Sequence, residues 1–377
     1  MAVEIREITR KCDIRRFVEF GNELYRDCPN FCPHLVFDEM NTFNVKKNPA
    51  HEFCEHILYM AYREGQPVGR VCGIINPIAN ERWGVKKVRF GWIDFIDDME
   101  VSKALMDAVA AWGKSKGMTQ MNGPVGFTDW DYEGLLIEGF EYLAPMASLY
   151  NYPYYEKHLE AYGLTKENDW IEIQLYVPEE LPERVARVDK IARERYNLRV
   201  DKVRSARELK KKYGTRYMDM LDEAYQRLYN AQPMTPRQKQ YYSDMYIPML
   251  NFDFVTIVVN EQDEIVGIGL GMPDISQALR KCQGHLFPFG WWHILKAFRA
   301  KKMEVFDFLL IGVRPDYQGR GVNAVLMADQ YPYFRKYGVH HAETTSIMET
   351  NNLNIKPWQM FPCKQHKRRR AYIKTIE

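Results

Sequence analysis

The chain has 377 residues, a formal net charge of +2 and 46% hydrophobic residues. That length suits two domains of common size, and the small net charge gives no reason to expect nucleic acid or a membrane as partner. Seven scattered cysteines argue against a disulfide framework. We expect a cytoplasmic protein with neither a signal peptide nor a membrane span.

The first half has the pattern of an α/β unit. Residues 3–8 alternate as an edge strand does, residues 13–25 are helical, and residues 57–75 predict a hairpin that turns at Glu64 and Gly65. A strand at 89–96, a helix at 100–116 and a loop-rich stretch at 126–139 follow. A short helix after Asn151 ends at Gly163, and a last strand covers residues 170–177.

The second half repeats this order. A strand at 197–203 and a helix at 206–229 precede a hairpin at 254–270, a buried strand at 305–313, a second helix and a strand at 339–347. A basic run at 364–370 continues as the final strand. We predict two copies of one unit, at 1–180 and 181–377, with an insertion at 275–303 in the second copy.

A glycine-rich turn, Gln318-Gly319-Arg320-Gly321, joins the strand at 305–313 to the helix that begins near Val322. This arrangement aims free backbone N–H groups and the helix dipole at an anion. The turn lacks the Lys-Ser/Thr of a P-loop and the third glycine of a dinucleotide fingerprint. It therefore predicts a phosphate site of another kind.

Val313, Pro315, Gln318, Gly319 and Gly321 resemble the coenzyme A pyrophosphate loop of the GNAT N-acetyltransferase superfamily. The resemblance implies an α/β (α+β) fold with two tandem GNAT-like domains, each a mixed, mostly antiparallel, twisted sheet flanked by helices. It further implies that acetyl-CoA, or another acyl-CoA, is bound by Leu310, Ile311, Gly312, Val313, Gln318, Gly319, Arg320, Gly321, Val322, Asn323 and Asn352. Asn323 departs from the Gly or Ala that the family prefers.

The first copy holds acids where the second holds its glycine turn. Asp97-Asp98-Met99-Glu100 offers no glycine that would let a phosphate approach, and its acids repel one. We predict that this copy is degenerate and contributes scaffold and part of a substrate wall.

Transfer of an acyl group from a thioester to an amine requires a base, because an alkyl ammonium with a pKa near ~10 cannot attack. By resemblance, Asp307 is the first candidate; Glu343, in the next strand, is the second and Glu304 the third. The competing interpretation of Asp307 is a solvated or paired acid at the start of a strand. The family often uses a tyrosine as the acid, a few residues after the asparagine equivalent to Asn352. No tyrosine stands there, so the proton comes from another tyrosine, such as those at 331 and 333, or from solvent.

Two further segments each suit two roles. Residues 284–302 combine tryptophans with cations, and we predict a helix that packs over the active-site mouth as a lid or substrate wall; a membrane-surface helix is the second possibility. The basic run at 364–370 is predicted to be a solvated strand face rather than a nucleic-acid patch, with at most one side chain near a coenzyme phosphate.

The pairs Cys28/Cys32 and His340/His341 lack further ligands at metal spacing, so no metal site is predicted.

Together these features predict an N-acyltransferase that moves an acetyl group from coenzyme A to an amine of a small molecule, without a nucleic-acid partner. A competing hypothesis is a transferase with another acyl donor, such as aminoacyl-tRNA, which the intact loop disfavours. A further one is a non-catalytic binding or assembly protein that keeps the GNAT fold, which the missing tyrosine favours.

Overall fold

A computed structural model describes residues 2–376 of the chain, and these form fourteen strands and thirteen α-helices. The strands are β1 Glu4–Glu7, β2 Glu55–Arg63, β3 Gln66–Ile75, β4 Lys87–Phe95, β5 Gln120–Gly123, β6 Leu135–Glu138, β7 Thr165–Tyr176, β8 Arg199–Val200, β9 Thr256–Val259, β10 Ile265–Pro273, β11 Val305–Val313, β12 His341–Glu343, β13 Ile347–Met348 and β14 Cys363–Thr375. The helices are α1 Lys11–Leu24, α2 Val36–Thr42, α3 Pro77–Trp83, α4 Met99–Ser115, α5 Tyr154–Ala161, α6 Glu183–Tyr196, α7 Ala206–Tyr213, α8 Arg216–Tyr225, α9 Pro236–Tyr246, α10 Ser276–Cys282, α11 Gly290–Phe298, α12 Val322–Tyr337 and α13 Asn352–Trp358.

All fourteen strands belong to one continuous sheet. Its order is β1-β2-β3-β4-β5-β14-β7-β12-β11-β10-β9-β8, with β6 paired to β14 and β13 paired to β7. Only β4 with β5 and β11 with β12 are parallel; the other paired strands are antiparallel. The predicted fold class is confirmed, and the sheets of the two halves join edge to edge.

The two halves exchange their last long strands. β14, from the end of the chain, lies between β5 and β7, and β7 in turn lies between β14 and β12. The strand that completes the first half therefore comes from the second half, and the reverse holds for β7. The sheet therefore cannot be divided into one part from each half of the sequence. The division of the chain into units at 1–180 and 181–377 stays a prediction.

Most predicted elements are present, and three differ. The predicted helix at 206–229 is two helices, α7 and α8, because Gly214 at φ 59° ends the first. The predicted strand at 197–203 is reduced to β8, and the one at 339–347 is interrupted after Glu343. Each shortened strand has only a brief partner, since β8 pairs with two residues of β9 and β12 with three residues of β11.

Helix α12 packs on the second half of the sheet. Val322, Val325 and Leu326 recur at the helical spacing that makes one face apolar, and they lie in a buried cluster with Val258 and Val266 of the sheet. This packing fixes the start of α12 beside the end of β11. Among residues 2–376 no helix is both long and apolar enough to cross a membrane.

Candidate active site

The strand before the glycine turn leaves its parallel neighbour after three residues. β11 pairs with β12 only from Val305 to Asp307, whereas its other edge stays paired with β10 as far as Val313. Within residues 2–376 no strand covers the β12 side of β11 beyond Asp307. A gap therefore opens beside Phe308 to Val313, where backbone groups without a protein partner are available to a ligand. The carbonyl oxygens of Ile311 and Val313 already accept from side chains.

The glycine turn leaves the first turn of α12 free. Gly319 at φ 73° and Gly321 at φ 85° adopt left-handed conformations, and in the described chain no side chain caps the helix. The Gln318 side chain donates to the carbonyl oxygen of Val313 at 3.1 Å and so joins the turn to the end of β11. Uncapped N–H groups at a helix start form an anion site.

The equivalent place in the first half is occupied by protein. The Asp98 carboxylate caps α4 by accepting from the backbone N–H groups of Glu100 at 2.9 Å and Val101 at 3.4 Å. The gap beside β4 is filled by the following loop, where the N–H of Val125 donates to the carbonyl oxygen of Phe90 at 2.9 Å. The predicted degeneracy of the first copy is confirmed, because a side chain stands where a phosphate would bind.

A cavity of about 930 Å³ begins at the glycine turn and continues into the first half of the chain. Its wall includes ten of the eleven residues predicted to bind the cofactor: Leu310, Ile311, Gly312, Val313, Gln318, Gly319, Gly321, Val322, Asn323 and Asn352. Arg320 is exposed outside it, and its guanidinium lies over the rings of Tyr196 and Tyr317. One space thus connects the anion site, the open edge of β11 and the first half.

Six carboxyl groups line this cavity, and burial strongly raises the pKa values of four of them, Glu39, Asp129, Asp131 and Glu133. Burial raises the pKa of Glu39 and of Asp129 to about 7 each, and that of Asp131 to about 6. The pKa of Glu133 is raised well above its usual range by burial and by Asp129. The nearby guanidinium of Arg89 acts in the opposite direction on Asp129, Asp131 and Glu133.

Two of these four acids accept hydrogen bonds from the protein, and the other two each have an oxygen atom without a partner. Asp131 accepts from the backbone N–H of Thr128 at 2.9 Å, and Glu39 accepts from the indole of Trp92 at 2.6 Å. In contrast, Oδ1 of Asp129 and Oε1 of Glu133 are buried without a partner in the described structure. Buried oxygen atoms that lack a protein donor are available to accept a hydrogen bond from a ligand or from water.

Helices α8 and α9 place tyrosines in the cavity wall beside the acidic loop. The Tyr225 hydroxyl donates to the carbonyl oxygen of Ile311 on β11 at 3.0 Å, and burial raises its pKa. The rings of Tyr225 and Tyr242 pack on Trp130, which stands between two of the cavity acids in sequence. The tyrosine wall therefore joins the cofactor strand to the acidic loop.

The two acids predicted as bases lie outside the cavity wall. Asp307 and Glu343 are adjacent residues of β11 and β12 and are both buried. Burial, with Asp274 and Glu343, raises the pKa of Asp307 well above its usual range. Burial opposes ionisation of Glu343 as well, but His366 and Lys367 lower its pKa to about 2. The described geometry does not bring either acid into contact with the cavity.

The third candidate base and both candidate tyrosine acids also lie outside the cavity wall. Tyr331 is buried and donates to the carbonyl oxygen of Pro178, and Tyr333 is not part of the lining. Glu304 is exposed before β11. The predicted role of residues 284–302 as a substrate wall is wrong for this cavity, because they contribute nothing to its lining.

The prediction of a solvated basic face on β14 is wrong for three side chains. His366, Lys367 and Arg369 are buried at the centre of the sheet, where a bulge in β14 disturbs the alternation of its side chains. Arg369 Nε donates to Glu172 at 2.5 Å, and Lys367 Nζ lies 3.0 Å from Glu343. Glu172, Glu343 and His366 could hold a metal by distance, but the Lys367 ammonium already lies among them.

The acidic loop was not recognised from the sequence as functional. It belongs to the stretch at 126–139, where Asp129-Trp-Asp-Tyr-Glu133 alternates acids with aromatic residues between Gly126 and Gly134. This alternation is the local signal that was available. Nothing in it indicates that the loop faces a helix start nearly two hundred residues later.

No family model matches the chain. It is 29% identical to "Protein YghO" of Escherichia coli K12, over 99% of the chain and 95% of that protein. It is 23% identical to a "Bacterial ceramide synthase" of Caulobacter vibrioides, over 97% and 95%. A solved tandem GNAT protein from the clavulanic acid biosynthesis pathway superimposes with a TM-score of 0.57 at 10% identity, covering 100% of this chain and 99% of that one.

These likenesses agree with the geometry of the chain itself. The uncapped start of α12 and the repeated order of elements were expected from the sequence, and the gap beside β11 places an open strand edge next to that helix start. The chain has the tandem GNAT fold.

Proposed function

We propose that this chain is an N-acyltransferase that takes its acyl group from an acyl-coenzyme A. The observation that carries the proposal is the single cavity that connects an uncapped helix start and an open strand edge to unpaired carboxyl groups. Acyl transfer to an amine requires these parts together: an anion site, a place for a thioester and a proton acceptor.

The residues at one end of the cavity fit coenzyme A. The N–H groups of Gly319, Gly321, Val322 and Asn323 donate to no acceptor in the described structure and suit a diphosphate. The open edge of β11 suits the amide groups of pantetheine, and the carbonyl oxygens of Ile311 and Val313 on this strand already accept from Tyr225 and Gln318. Bound there, the cofactor would supply the acyl thioester. Asn323 lies in the cavity wall, and its Oδ1 has no partner in the described structure.

Asp129 is the base in this proposal. Its pKa of about 7 leaves a large fraction of carboxylate at neutral pH, and its unpaired Oδ1 can accept a proton from an ammonium. Burial and the nearby Asp129 raise the pKa of Glu133 well above its usual range. A cationic amine between the two acids favours their ionisation and is thereby recognised.

Tyr225 is the proton donor in this proposal. Burial keeps its hydroxyl protonated at neutral pH, and the hydrogen bond to Ile311 holds it against β11. It comes from α8, a different part of the fold from the tyrosine that the family often uses. Asp307 and Glu343 remain the competing candidates for the base, and kinetics of the Asp129→Asn and Asp307→Asn variants separate Asp307 from Asp129.

The acceptor in this proposal is a primary amine that carries an apolar chain. A ceramide is an amide of a long-chain amino alcohol, and the 23% identical relative is named for ceramide synthesis. Apolar side chains such as Trp358, Ile347 and Met348 in the cavity wall suit such a chain.

The test has two stages. Isothermal titration with acetyl-CoA and with a long-chain acyl-CoA measures binding, and thiol release across soluble and long-chain amines measures transfer. Binding with amine-dependent thiol release supports the proposal. Binding without release for any amine would favour a non-catalytic binding protein, and the absence of binding would overturn the coenzyme A assignment.

A further inference from the structure

The insertion before β11 presents large aromatic side chains to solvent. Phe287 is 79% exposed, Phe289 73%, Trp291 45% and Trp292 57%. Within the described chain these four are among only twelve exposed large hydrophobic residues, and they fall within six consecutive positions. Four exposed aromatic side chains within six positions are typical of a binding surface rather than of an ordinary exposed segment.

The segment that carries these aromatic side chains contains cations and no acids. No acid occurs between Asp274 and Glu304, and the six cations in that interval are Arg280, Lys281, Lys296, Arg299, Lys301 and Lys302. None of the six forms an ion pair within residues 2–376. The local charge is therefore uncompensated, although the whole chain has a formal net charge of only +2.

Helix α11 directs aromatic and basic side chains toward solvent. With about 100° of rotation per residue, Trp291, Trp292, Lys296 and Arg299 share one arc of the helix. The opposite arc carries Ile294 and Ala297, which pack against the core. Tryptophan with Lys and Arg on one helix face is suited to the boundary between lipid headgroups and acyl chains.

We propose that this aromatic–basic surface, Phe287 to Lys302, binds the surface of an anionic lipid bilayer. Charge complementarity selects this occupant, because an apolar protein partner alone would not require six unpaired cations. The aromatic side chains enter the interface and the cations meet lipid phosphates. A membrane-surface role for residues 284–302 thus replaces the role of a substrate wall.

The surface also lies next to the acidic end of the cavity. The carbonyl oxygen of Gly284 accepts from the backbone N–H of Val36 at 3.0 Å, at the start of α2. A side chain at Gly284 would collide with the carbonyl of His34, so the contact is close. Leu35 and Glu39, on the same segment as Val36, line the cavity. A bilayer bound here meets the part of the protein that contains the acids.

Vesicle flotation tests this proposal with the full chain. Wild-type protein is expected to float with phosphatidylglycerol vesicles, to float about tenfold less with phosphatidylcholine vesicles, and to be released by salt. Trp291→Ala with Trp292→Ala, and separately Lys296→Glu with Arg299→Glu, are expected to weaken binding about tenfold. These side chains are exposed, so thermal unfolding should show that both variants fold.

A matched control variant distinguishes the effect of charge on this surface from the effect of the net charge of the protein. Lys114→Glu with Lys157→Glu changes the net charge equally but alters exposed residues of α4 and α5, and it should leave flotation unchanged. Equal binding by the surface variants and this control, or no wild-type binding to anionic vesicles, would overturn the proposal. A wild-type dimer in sedimentation that the two tryptophan substitutions dissociate would assign the surface to a second copy of the chain instead.

Discussion

Two buried carboxyl groups of this protein have opposite tendencies to ionise because their neighbours differ. Glu343 and Asp129 are both removed from solvent, which disfavours ionisation of each. His366 and Lys367 contact Glu343 and lower its pKa to about 2, whereas burial raises that of Asp129 to about 7. A permanently ionised, paired acid is suited to structure, and one that changes charge near neutral pH is suited to proton transfer.

Replacing Asp129 by Asn should lower kcat by about 10²–10⁴-fold and leave the affinity for acetyl-CoA unchanged, because the base is lost and the anion site is not touched. Steady-state kinetics and titration calorimetry measure the two effects. Asp307→Asn is the matched control, since Asp307 is buried outside the cavity wall. Loss of activity in the control with retention in Asp129→Asn would return the role of base to Asp307.

The acids of the cavity should also make stability depend on pH. Asp129, Glu39 and Asp131 have folded-state pKa values of about 7, 7 and 6, above their ordinary values of 3.8, 4.5 and 3.8. Folding therefore favours their protonated forms, and the stability that they contribute is lost as pH rises from about 4 to 7. Their contribution makes the unfolding free energy from urea denaturation lower at pH 8 than at pH 5. Asp129→Asn should reduce that difference, and an unchanged difference would contradict the burial of an ionisable Asp129.

At the scale of elements, the glycine turn and α12 form the predicted diphosphate site. Arg320→Glu should weaken acetyl-CoA binding by about tenfold or more, because it places a negative charge beside the start of α12. Arg335→Glu, an exposed change near the other end of the same helix, is the control and should leave binding unchanged. Titration calorimetry compares them, and equal affinities in both variants would count against the turn as the phosphate site.

Strand β14 depends on its internal ion pairs. Lys367→Met should lower the unfolding free energy by about 3–5 kcal/mol, because Glu343 and Glu172 remain buried without the ammonium that both contact. Lys364→Met removes an exposed lysine of the same strand and should have little effect. Denaturant unfolding of the two variants gives the comparison, and similar stabilities would show that the buried pairs contribute little.

At the scale of the whole molecule, the exchange of β7 and β14 should make the two halves fold together. Deleting residues 363–377 removes the strand between β5 and β7, so both neighbours lose their backbone hydrogen bonds. We expect that this variant and the separate fragment 1–180 do not fold, and that the full chain unfolds in one transition. Circular dichroism and calorimetry test this, and a folded fragment 1–180 would show that the exchange is dispensable.

Local sequence was sufficient for the strand at Val305–Val313, for the glycine turn and for most helices, because their signals lie within one element. Apolar runs, glycines at positive φ and helical spacing act over a few residues. The same locality explains why ten residues of the cofactor list share one cavity wall, since nearly all of them come from one strand, one turn and the start of one helix.

The acidic loop, the tyrosine wall and the buried side chains of β14 were decided only by tertiary structure. Asp129 lines the same cavity as the glycine turn because distant segments of the chain fold together, and Lys367 is buried because β14 occupies the middle of the sheet rather than its edge. Whether a basic or acidic side chain is solvated depends on which strands lie on either side of it. That neighbourhood is set by the order of strands in the sheet, which no local pattern in the chain encodes.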